Sequence, residues 1–230
     1  MSEGTLAGSP GPHVFVTSQD HLVLAAEDAS HLERSLRMRD GDSLTVSDGQ
    51  GSWAPGVLRT DGLVELSDTW RHIAAPAVEI TIAFSLVKGS KPELVVQKLT
   101  ELGVDQIVAL VADRSIVRWD EAKVAKATKR WNRIIREASM QSHRVRLPVL
   151  GGVADSDTFF ASESPVALAQ FGGEPVGNEH RCIAIGPEGG WSDRELASAA
   201  GRVSLGETVL RAETAAIAAG TLLAAARRSA

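Results

Sequence analysis

Two short segments near the end of the sequence carry residue types suited to ligand binding. Residues 185–192 read IGPEGGWS and residues 205–215 read LGETVLRAETA, and each segment follows an apolar run. Glycine and proline favour tight turns that leave main-chain groups accessible to a ligand. Ser192 and Glu195 have the spacing of a capping box, which predicts a helix beginning at Ser192. The pair of loops predicts one ligand cradle, although either loop alone is also typical of an ordinary strand-to-helix turn.

The composition excludes several other kinds of site. No Gly-Lys-Ser or Gly-Lys-Thr follows the glycines, which argues against a Walker-type phosphate loop. The six histidines are scattered, and with a single cysteine, Cys182, no metal-ligand cluster and no internal disulfide are expected. Cys182 lies in an apolar run, where a buried, unreactive thiol is the simpler interpretation. We therefore expect a site without a metal.

The charge is unevenly distributed along the chain. The formal net charge is -5, but residues 80–150 have a clear excess of lysine and arginine. The basic residues of this region, which have Glu137 as their nearby counter-charge, are Lys123, Lys126, Lys129, Arg130, Arg133, Arg136, Arg144 and Arg146. Such a local field could hold the phosphates of a nucleic acid, and a solvated helix face is the alternative.

Hydrophobic patterning predicts two domains after a flexible leader at residues 1–12. Residues 13–75 show short alternating stretches, which predict a small β-barrel or sandwich with one helix near residues 31–39. Residues 76–230 alternate strands with helices, including long helices at residues 121–141 and 213–228. This alternation predicts an α/β domain with a parallel sheet flanked by helices, whose ligands bind at the carboxyl ends of the strands.

The sequence resembles the 16S ribosomal RNA uracil-N3 methyltransferase family of the SPOUT methyltransferases. That family has a Gly-Pro-Glu-Gly-Gly loop followed by a Leu-Gly-x-x-x-Leu-Arg-x-Glu-Thr-Ala loop, and both are intact here. Further upstream, residues 86–89, 97–104, 114–115 and 136–144 resemble the first and central conserved blocks. Ser139 and His143 stand where relatives often have cysteine and glycine. The resemblance spans nearly the whole chain.

The resemblance implies a trefoil-knotted C-terminal domain, a PUA-like N-terminal barrel that binds RNA, a homodimer and S-adenosylmethionine as cofactor. It implies cofactor contacts from Leu86, Gly186, Glu188, Gly189, Gly190, Leu205, Gly206, Leu210, Arg211 and Thr214. It also implies RNA contacts from Arg34, Arg37, Lys88, Arg114, Arg130, Arg133, Arg136, Gln141 and Arg144. An expected exposed tryptophan and the alanine-rich C-terminal helix add weak support for the dimer.

Three residues are the candidates for catalysis at uridine N3. Arg211 would offset negative charge on the uracil carbonyls, and Glu188 or Glu213 would accept the N3 proton. An acidic residue at position 213 is also favoured by the helix dipole, whatever the chemistry. His143 is a weaker candidate base, because Arg144 and Arg146 beside it favour RNA contact or plain exposure.

The expected function is S-adenosylmethionine-dependent methylation of N3 of a uridine in small-subunit ribosomal RNA, naked or in the assembled subunit. The alternatives are a methyltransferase that acts on transfer RNA or large-subunit RNA, and a non-catalytic RNA-binding or ribosome-assembly module. No apolar run reaches the roughly 20 residues that cross a bilayer, and the N-terminal residues do not resemble a signal peptide. We therefore expect a cytoplasmic protein without a membrane partner.

Overall fold

A computed structural model of the chain describes Leu6, residues 11–163 and residues 165–229. The chain divides into two compact units, Met1–Pro76 with Arg136–Leu147, and Ala77–Ile135 with Pro148–Ala230. This division differs from the predicted domain limits, because residues 136–147 group with the N-terminal unit. The predicted leader, residues 1–12, lies largely outside the described residues.

The first unit is built on a five-stranded mixed sheet. Its strands are β1 (His13–Phe15), β2 (Ser43–Ser47), β3 (Ser52–Leu58), β4 (Val64–Leu66) and β5 (Arg71–His72). The order is β1-β2-β3-β4, with β5 also paired to β3, and only the β1–β2 pair is parallel. Asp48 shapes the β2–β3 turn, since its Oδ1 accepts the N–H groups of Gln50 and Ser52 at 2.7 and 3.1 Å. These bonds hold the turn between the two strands in place.

The helix of this unit begins earlier than the sequence suggested. Helix α1 spans Ala26–Arg34, whereas the prediction was residues 31–39. Glu27 and Asp28 stand in its first turn, where acidic side chains favour a helix start. Beyond Ser35 the helix does not continue, and Arg37 has a positive φ of 55°, which is incompatible with a right-handed helix. Arg34 and Arg37 are both exposed, one at the helix end and one in the following turn.

A buried histidine, His13, lies in the core of the first unit and contacts the half-buried His143. His13 is 1% exposed, its Nδ1 lies 2.9 Å from Thr45 Oγ1, and its ring stacks on His143 at 6.0 Å between centroids. Burial, and then the neighbouring His143, lower the pKa of His13 to about 3. His13 is therefore neutral in the folded protein across the physiological range.

The neutral state of His13 predicts acid destabilisation. The unfolded chain takes up a proton on His13 near pH 6.5, whereas the folded chain does so only near pH 3. The contribution of His13 to stability is therefore present above pH 6.5 and is lost progressively as the pH falls from 6.5 towards 3. Urea unfolding should show a loss of about 2 kcal/mol for this group between about pH 7 and pH 5.

The variant His13→Gln should flatten this pH dependence, whereas His21→Gln, which replaces an exposed histidine, should leave it unchanged. If the free energy of unfolding falls as steeply with decreasing pH in His13→Gln as in the unmodified protein, His13 is not the group that causes the loss.

The second unit contains a six-stranded sheet in which every pair of neighbours is parallel. Its strands are β6 (Thr81–Ser85), β7 (Gln106–Val111), β8 (Val149–Asp155), β9 (Val166–Pro175), β10 (Cys182–Ile185) and β11 (Gly201–Ser204), in the order β11-β9-β10-β6-β7-β8. The predicted parallel sheet is confirmed. Strand β8 was not predicted, because its two glycines interrupt the apolar pattern.

Five helices follow these strands: α2 (Lys91–Glu101), α3 (Glu121–Gln141), α4 (Ser156–Ser162), α5 (Asp193–Ser198) and α6 (Ala212–Arg228). Helix α3 has the predicted limits, and residues 136–141 at its end group with the first unit. Trp131, Ile135 and Ala138 of this helix are buried, and its lysines are exposed. Among the described residues, no helix is both long enough and apolar enough to cross a membrane.

The alanine-rich helix α6 packs inside the second unit. It contacts α2, β6 and β10, and a Cβ on Gly220 would lie 2.7 Å from Leu99 Cδ2. Small side chains thus allow α6 to approach α2 closely. The expectation of an exposed tryptophan is wrong, because all five tryptophans are buried or half-buried. Cys182 is also buried, and burial raises the pKa of its thiol to about 12, as expected of an unreactive cysteine.

Candidate functional site

The first glycine loop leaves the carboxyl end of β10, in the middle of the sheet. Gly190 donates its N–H to the Pro187 carbonyl at 2.9 Å and has a φ of 72°, a conformation that glycine adopts without strain. The Trp191 ring packs against Gly186, where an added Cβ would approach ring atom Cε2 to 2.9 Å. Gly186 therefore has no room for a side chain at this point of the loop.

A buried carboxylate fixes the end of this loop. Ser192 caps α5 in the predicted capping box, with Glu195 as its third residue. The Glu195 side chain is 0% exposed, and its two oxygens accept the N–H groups of Ser192 at 2.8 Å and Asp113 at 3.0 Å. Asp113 also accepts hydrogen bonds from Arg194 and Ser192, which hold the pKa of its carboxyl below the usual range. Glu195 therefore ties the loop after β10 to the segment after β7.

The variant Glu195→Ala should lower the free energy of unfolding by about 3 kcal/mol, because it leaves two amide donors without their acceptor. Glu195→Gln keeps one acceptor oxygen and should lose less. Thermal unfolding measures both, and Glu207→Ala in an exposed position is the matched control. A melting temperature of Glu195→Ala equal to that of the control would show that these hydrogen bonds do not stabilise the loop.

The second loop links the edge strand β11 to α6. Ser204 Oγ donates to the Gly206 carbonyl at 3.0 Å, and the chain turns there. Helix α6 begins at Ala212 with Arg211 as the residue before it. Glu213 lies in the first turn, as predicted, and its side chain is 14% exposed. The loop therefore presents Arg211 at the start of a helix.

Both loops line one cavity of about 670 Å³ in the second unit. The prediction that they form a single cradle is confirmed. Strand β9, which lies between β10 and β11 in the sheet, contributes a third wall that the sequence did not reveal. The residues of that wall are Ala169, Gln170 and Phe171.

Seven of the ten cofactor candidates line this cavity: Gly186, Glu188, Gly190, Leu205, Gly206, Leu210 and Arg211. Leu86, Gly189 and Thr214 are not among the described lining residues. Leu86 is 2% exposed, because it is packed into the core at the end of β6. Gly189 contacts Arg114, whose Cβ would lie 3.3 Å from an added Cβ. Thr214 is exposed on α6.

The three catalytic candidates occupy different surroundings. Arg211 and Glu188 both line the cavity and are exposed to it. Glu213 is outside the described lining, and its Oε1 accepts from Lys91 Nζ at 3.0 Å. Burial opposes its ionisation, but its own backbone N–H and Lys91 hold the pKa of Glu213 below the usual range. The geometry favours Glu188 over Glu213 as a group that reaches a ligand.

The RNA candidates are spread over both units. Arg114 lines the cavity, and its Nη1 donates to the Gly189 carbonyl at 3.3 Å. Lys88 and Gln141 are exposed, and Arg144 is half-buried.

Two of the arginines have carboxylate partners that the sequence analysis did not expect. Arg130 pairs with Glu93 at 2.8 Å, and Arg136 pairs with Asp28 at 2.5 Å. Both arginines therefore have a carboxylate partner other than Glu137.

The described residues contain no group of three or more His, Cys, Asp or Glu side chains arranged to hold a metal ion. His143, the weaker candidate base, lies in the first unit and stacks on His13. Its position is therefore explained by the packing of that unit.

Comparison with known proteins places the chain in a family. Residues 74–224 match the model of the RNA methyltransferase domain. A ribosomal RNA small subunit methyltransferase E from Mycobacterium bovis is 31% identical over 215 residues, which cover 84% of this chain and 82% of the relative. The chain belongs to the ribosomal RNA small subunit methyltransferase E family. A member from Bacillus subtilis is 28% identical and has similar coverage.

Solved structures of methyltransferases have the same fold. A methyltransferase from Legionella pneumophila with bound S-adenosylmethionine is 29% identical, with a TM-score of 0.80 over 93% of this chain and 97% of that chain. A small subunit methyltransferase E from Neisseria gonorrhoeae, also bound to S-adenosylmethionine, is 25% identical, with a TM-score of 0.75 over 91% and 94%. The cofactor predicted from the sequence is the one that both relatives bind.

The cavity is suited to this cofactor, whose zwitterionic end, sulfonium, ribose and adenine offer no phosphate. Its described lining contains no lysine and has two residues of each charge, Arg114, Arg211, Glu188 and Asp193. The rest is mainly glycine backbone and apolar side chains. Such a surface provides main-chain donors and acceptors for the polar edges and apolar contact for the adenine.

Proposed function

We propose that the protein methylates N3 of a uridine in small-subunit ribosomal RNA and uses S-adenosylmethionine as methyl donor. The observation that carries the proposal is the single cavity that both glycine loops line, with Arg211 and Glu188 in its wall. Family membership supports the RNA substrate, and the signature loops support N3 of uridine, the position named by the family that the sequence resembles. A pure binding module has no use for such a cavity.

The cofactor would be held by Gly186, Gly190, Leu205, Gly206 and Leu210, which line the cavity. It would supply an electrophilic methyl group on a positive sulfur. Because glycines leave the backbone exposed, these residues hold it through main-chain groups and apolar contact. Their role is to align the methyl group with the nitrogen, which is a positioning effect.

The chain's charged side chains act on the uracil. N3 carries a proton in neutral water, so attack requires that this proton leaves as the nitrogen–carbon bond forms and the sulfur–carbon bond breaks. Glu188 accepts the proton, and the sulfur keeps the electron pair of the broken bond. Arg211 offsets the negative charge that spreads onto the uracil carbonyls. Arg114, at the rim of the cavity, binds an RNA phosphate near the target.

The finer fold assignments are part of the same proposal. Strand β11 lies at the edge of the sheet, yet α6, which follows directly through the second loop, packs on β6 and β10 at its centre. This return path supports a trefoil knot in the second unit. The five-stranded mixed sheet of the first unit supports a PUA-like barrel that binds RNA. Residues 13–75 and 76–230 then correspond to the RNA-binding and methyltransferase domains.

A homodimer is also part of the proposal. Ile116 is 78% exposed and Val209 is 84% exposed, and Val209 lies at the cavity. Large apolar side chains exposed beside an active site favour coverage by a second copy.

A ribosomal substrate implies that the protein acts in the cytoplasm.

Helix α3 should supply part of the RNA affinity. The variant with Lys126→Glu and Lys129→Glu should weaken RNA binding and reduce the slope of log K against log salt by about 0.7 for each phosphate that the protein no longer neutralises. Filter binding at several salt concentrations measures this. Arg202→Glu with Arg228→Glu reverses the same charge at exposed positions elsewhere. An equal slope for both double variants would remove α3 from the RNA interface.

The proposal is tested by mapping modified nucleotides in cells that lack the protein. Small-subunit RNA should lose one N3-methyluridine, and the purified protein should restore it on extracted RNA or on isolated subunits. A methyl group lost from transfer RNA or large-subunit RNA would identify one of the related activities. If no RNA loses a methyl group, the enzymatic proposal is wrong.

A further inference from the structure

Strand β9 contains an irregular segment at the cavity wall, residues 169–173, which we call the β9 excursion. β11 pairs with Ala167 and Leu168 of β9 through Gly201 and Arg202, and the next pair joins Val203 to Glu174. Residues 169–173 of β9 therefore have no counterpart on β11. Such an insertion re-aims side chains out of the regular ladder. Here it turns them towards the cavity that both glycine loops line.

The excursion depends on two glycines and one hydrogen bond. Gly172 has a φ of 76°, and a Cβ on Gly173 would lie 2.7 Å from the backbone carbon of Val203. The Ala169 carbonyl accepts from Trp191 Nε1 at 3.3 Å, which joins the excursion to the first glycine loop. It is therefore a defined part of the cavity wall.

Gln170 carries an unpaired polar atom into this wall. It lines the cavity, and its Oε1 is buried without a hydrogen-bond partner among the residues that the structure describes. A buried carbonyl oxygen without a donor is unfavourable unless a ligand supplies one. A primary amide offers an acceptor and donors side by side, the pattern that matches the edge of a nucleobase.

Phe171 places an aromatic ring beside that amide. It lines the cavity, yet 65% of it is exposed. Of the described large apolar residues that are this exposed, only Val209 also lies at the cavity. Aromatic rings accept nucleobases by stacking, and enzymes that act on a base commonly hold it between such surfaces.

We infer that the β9 excursion is a nucleobase-recognition element, in which Phe171 stacks on the ring of a base and the side-chain amide of Gln170 hydrogen-bonds to its edge. Two bases have this chemistry: the adenine of the cofactor, whose amino group can donate to Gln170 Oε1, and the target uracil, whose carbonyl oxygens can accept from the Gln170 amide nitrogen while N3–H is left to Glu188. The inference rests on the proposed function, which brings both bases to the cavity. It adds two recognition residues that the signature loops do not contain.

The experiment measures two affinities of the full chain. Calorimetry gives the dissociation constant for S-adenosylhomocysteine, and filter binding gives that for a small-subunit RNA fragment with the target uridine, compared with one in which the base is absent. Phe171→Ala should weaken binding of the recognised base by roughly 10-fold. Val149→Ala, which removes another exposed apolar side chain at β8, is the control.

Gln170→Leu separates recognition from structure. It removes an oxygen that is buried without a donor, so its melting temperature without ligand should equal or exceed that of the unmodified protein. Its affinity for the recognised base should nevertheless fall. Phe171→Trp keeps an aromatic surface and should restore most of the affinity that Phe171→Ala loses. If Gln170 only stabilised the fold, Gln170→Leu should lower the melting temperature without ligand. If Phe171 only stabilised the fold, its replacement should change the melting temperature and not the affinity for the base.

The outcomes are distinct. Weaker S-adenosylhomocysteine binding assigns the element to the adenine, whereas a loss of discrimination between the two RNA fragments assigns it to the uracil, and either result supports the inference. Unchanged affinities of Phe171→Ala and Gln170→Leu for both ligands overturn it. A loss of affinity in a variant that sedimentation shows to have dissociated into protomers also overturns it. If the unmodified protein binds neither ligand, the proposed function fails, and the inference fails with it.

Discussion

Replacing Arg211 with alanine is expected to reduce kcat for RNA methylation by about 100- to 1,000-fold, the loss typical of removing a group that stabilises transition-state charge. Arg211 lines the cavity and is exposed to it, so the truncation leaves packing largely intact. The residue precedes α6 without capping it through its side chain, and helix stability should therefore change little. Single-turnover methylation with saturating cofactor and RNA measures the effect.

Two further variants distinguish charge from geometry. Arg211→Lys keeps the positive charge but loses the planar fork, and should recover part of the rate. Arg202→Ala removes an exposed arginine of β11 outside the described cavity lining and should leave kcat unchanged. A loss confined to KM for RNA in Arg211→Ala would assign this arginine to RNA binding and would remove it from the chemical step.

The local signals in the sequence were sufficient to predict most of the second unit. The capping box at Ser192 and the apolar period of α3 each act within a few residues of the element they define. The same holds for the two loops, since their glycines determine the backbone conformation where they stand. What these signals could not supply is the order of the strands, which depends on distant pairing.

The elements that were misplaced or missed depend on contacts that are distant in sequence. Helix α1 is the exception, because the features that place it over Ala26–Arg34 are local: its acidic first turn and the positive φ of Arg37. The end of α3 groups with the first unit, where Arg136 pairs with Asp28 more than a hundred residues away. No local pattern identifies such a partner.

The cavity wall also contains residues that no local pattern of the sequence identifies. Seven cofactor candidates came from the two loops, whose motifs carry the family resemblance. The third wall comes from β9, where Gln170 and Phe171 belong to no motif and reach the cavity through an interruption of strand pairing. Leu86 was expected there for its place in a motif, but its 2% exposure shows a packing role. The motifs identify the glycines whose backbone conformation forms the two loops. The other residues of the cavity wall are brought there by strand pairing, which the sequence does not show.

Replacing Gly186 with valine is expected to raise the dissociation constant for S-adenosylmethionine by about 100-fold. An added Cβ would lie 2.9 to 3.2 Å from three atoms of the Trp191 ring. The ring cannot retreat, because it is 6% exposed, packs edge-on against Phe160 at 5.9 Å and donates to the Ala169 carbonyl. The loop must therefore shift, and because Gly186 and Trp191 both line the cavity, the shift changes the cavity wall. A displacement near 1 Å has consequences of this size.

The matched control is Gly201→Val, since a Cβ there has nothing within 4 Å and valine suits a strand. Calorimetry with S-adenosylmethionine and a melting curve should be measured for both variants. Gly186→Ala adds the same Cβ without the two further methyl groups, so it should show a smaller loss of the same kind. If Gly186→Val binds the cofactor as tightly as Gly201→Val, the loop after β10 does not form the cofactor wall, and the second loop must hold the cofactor without it.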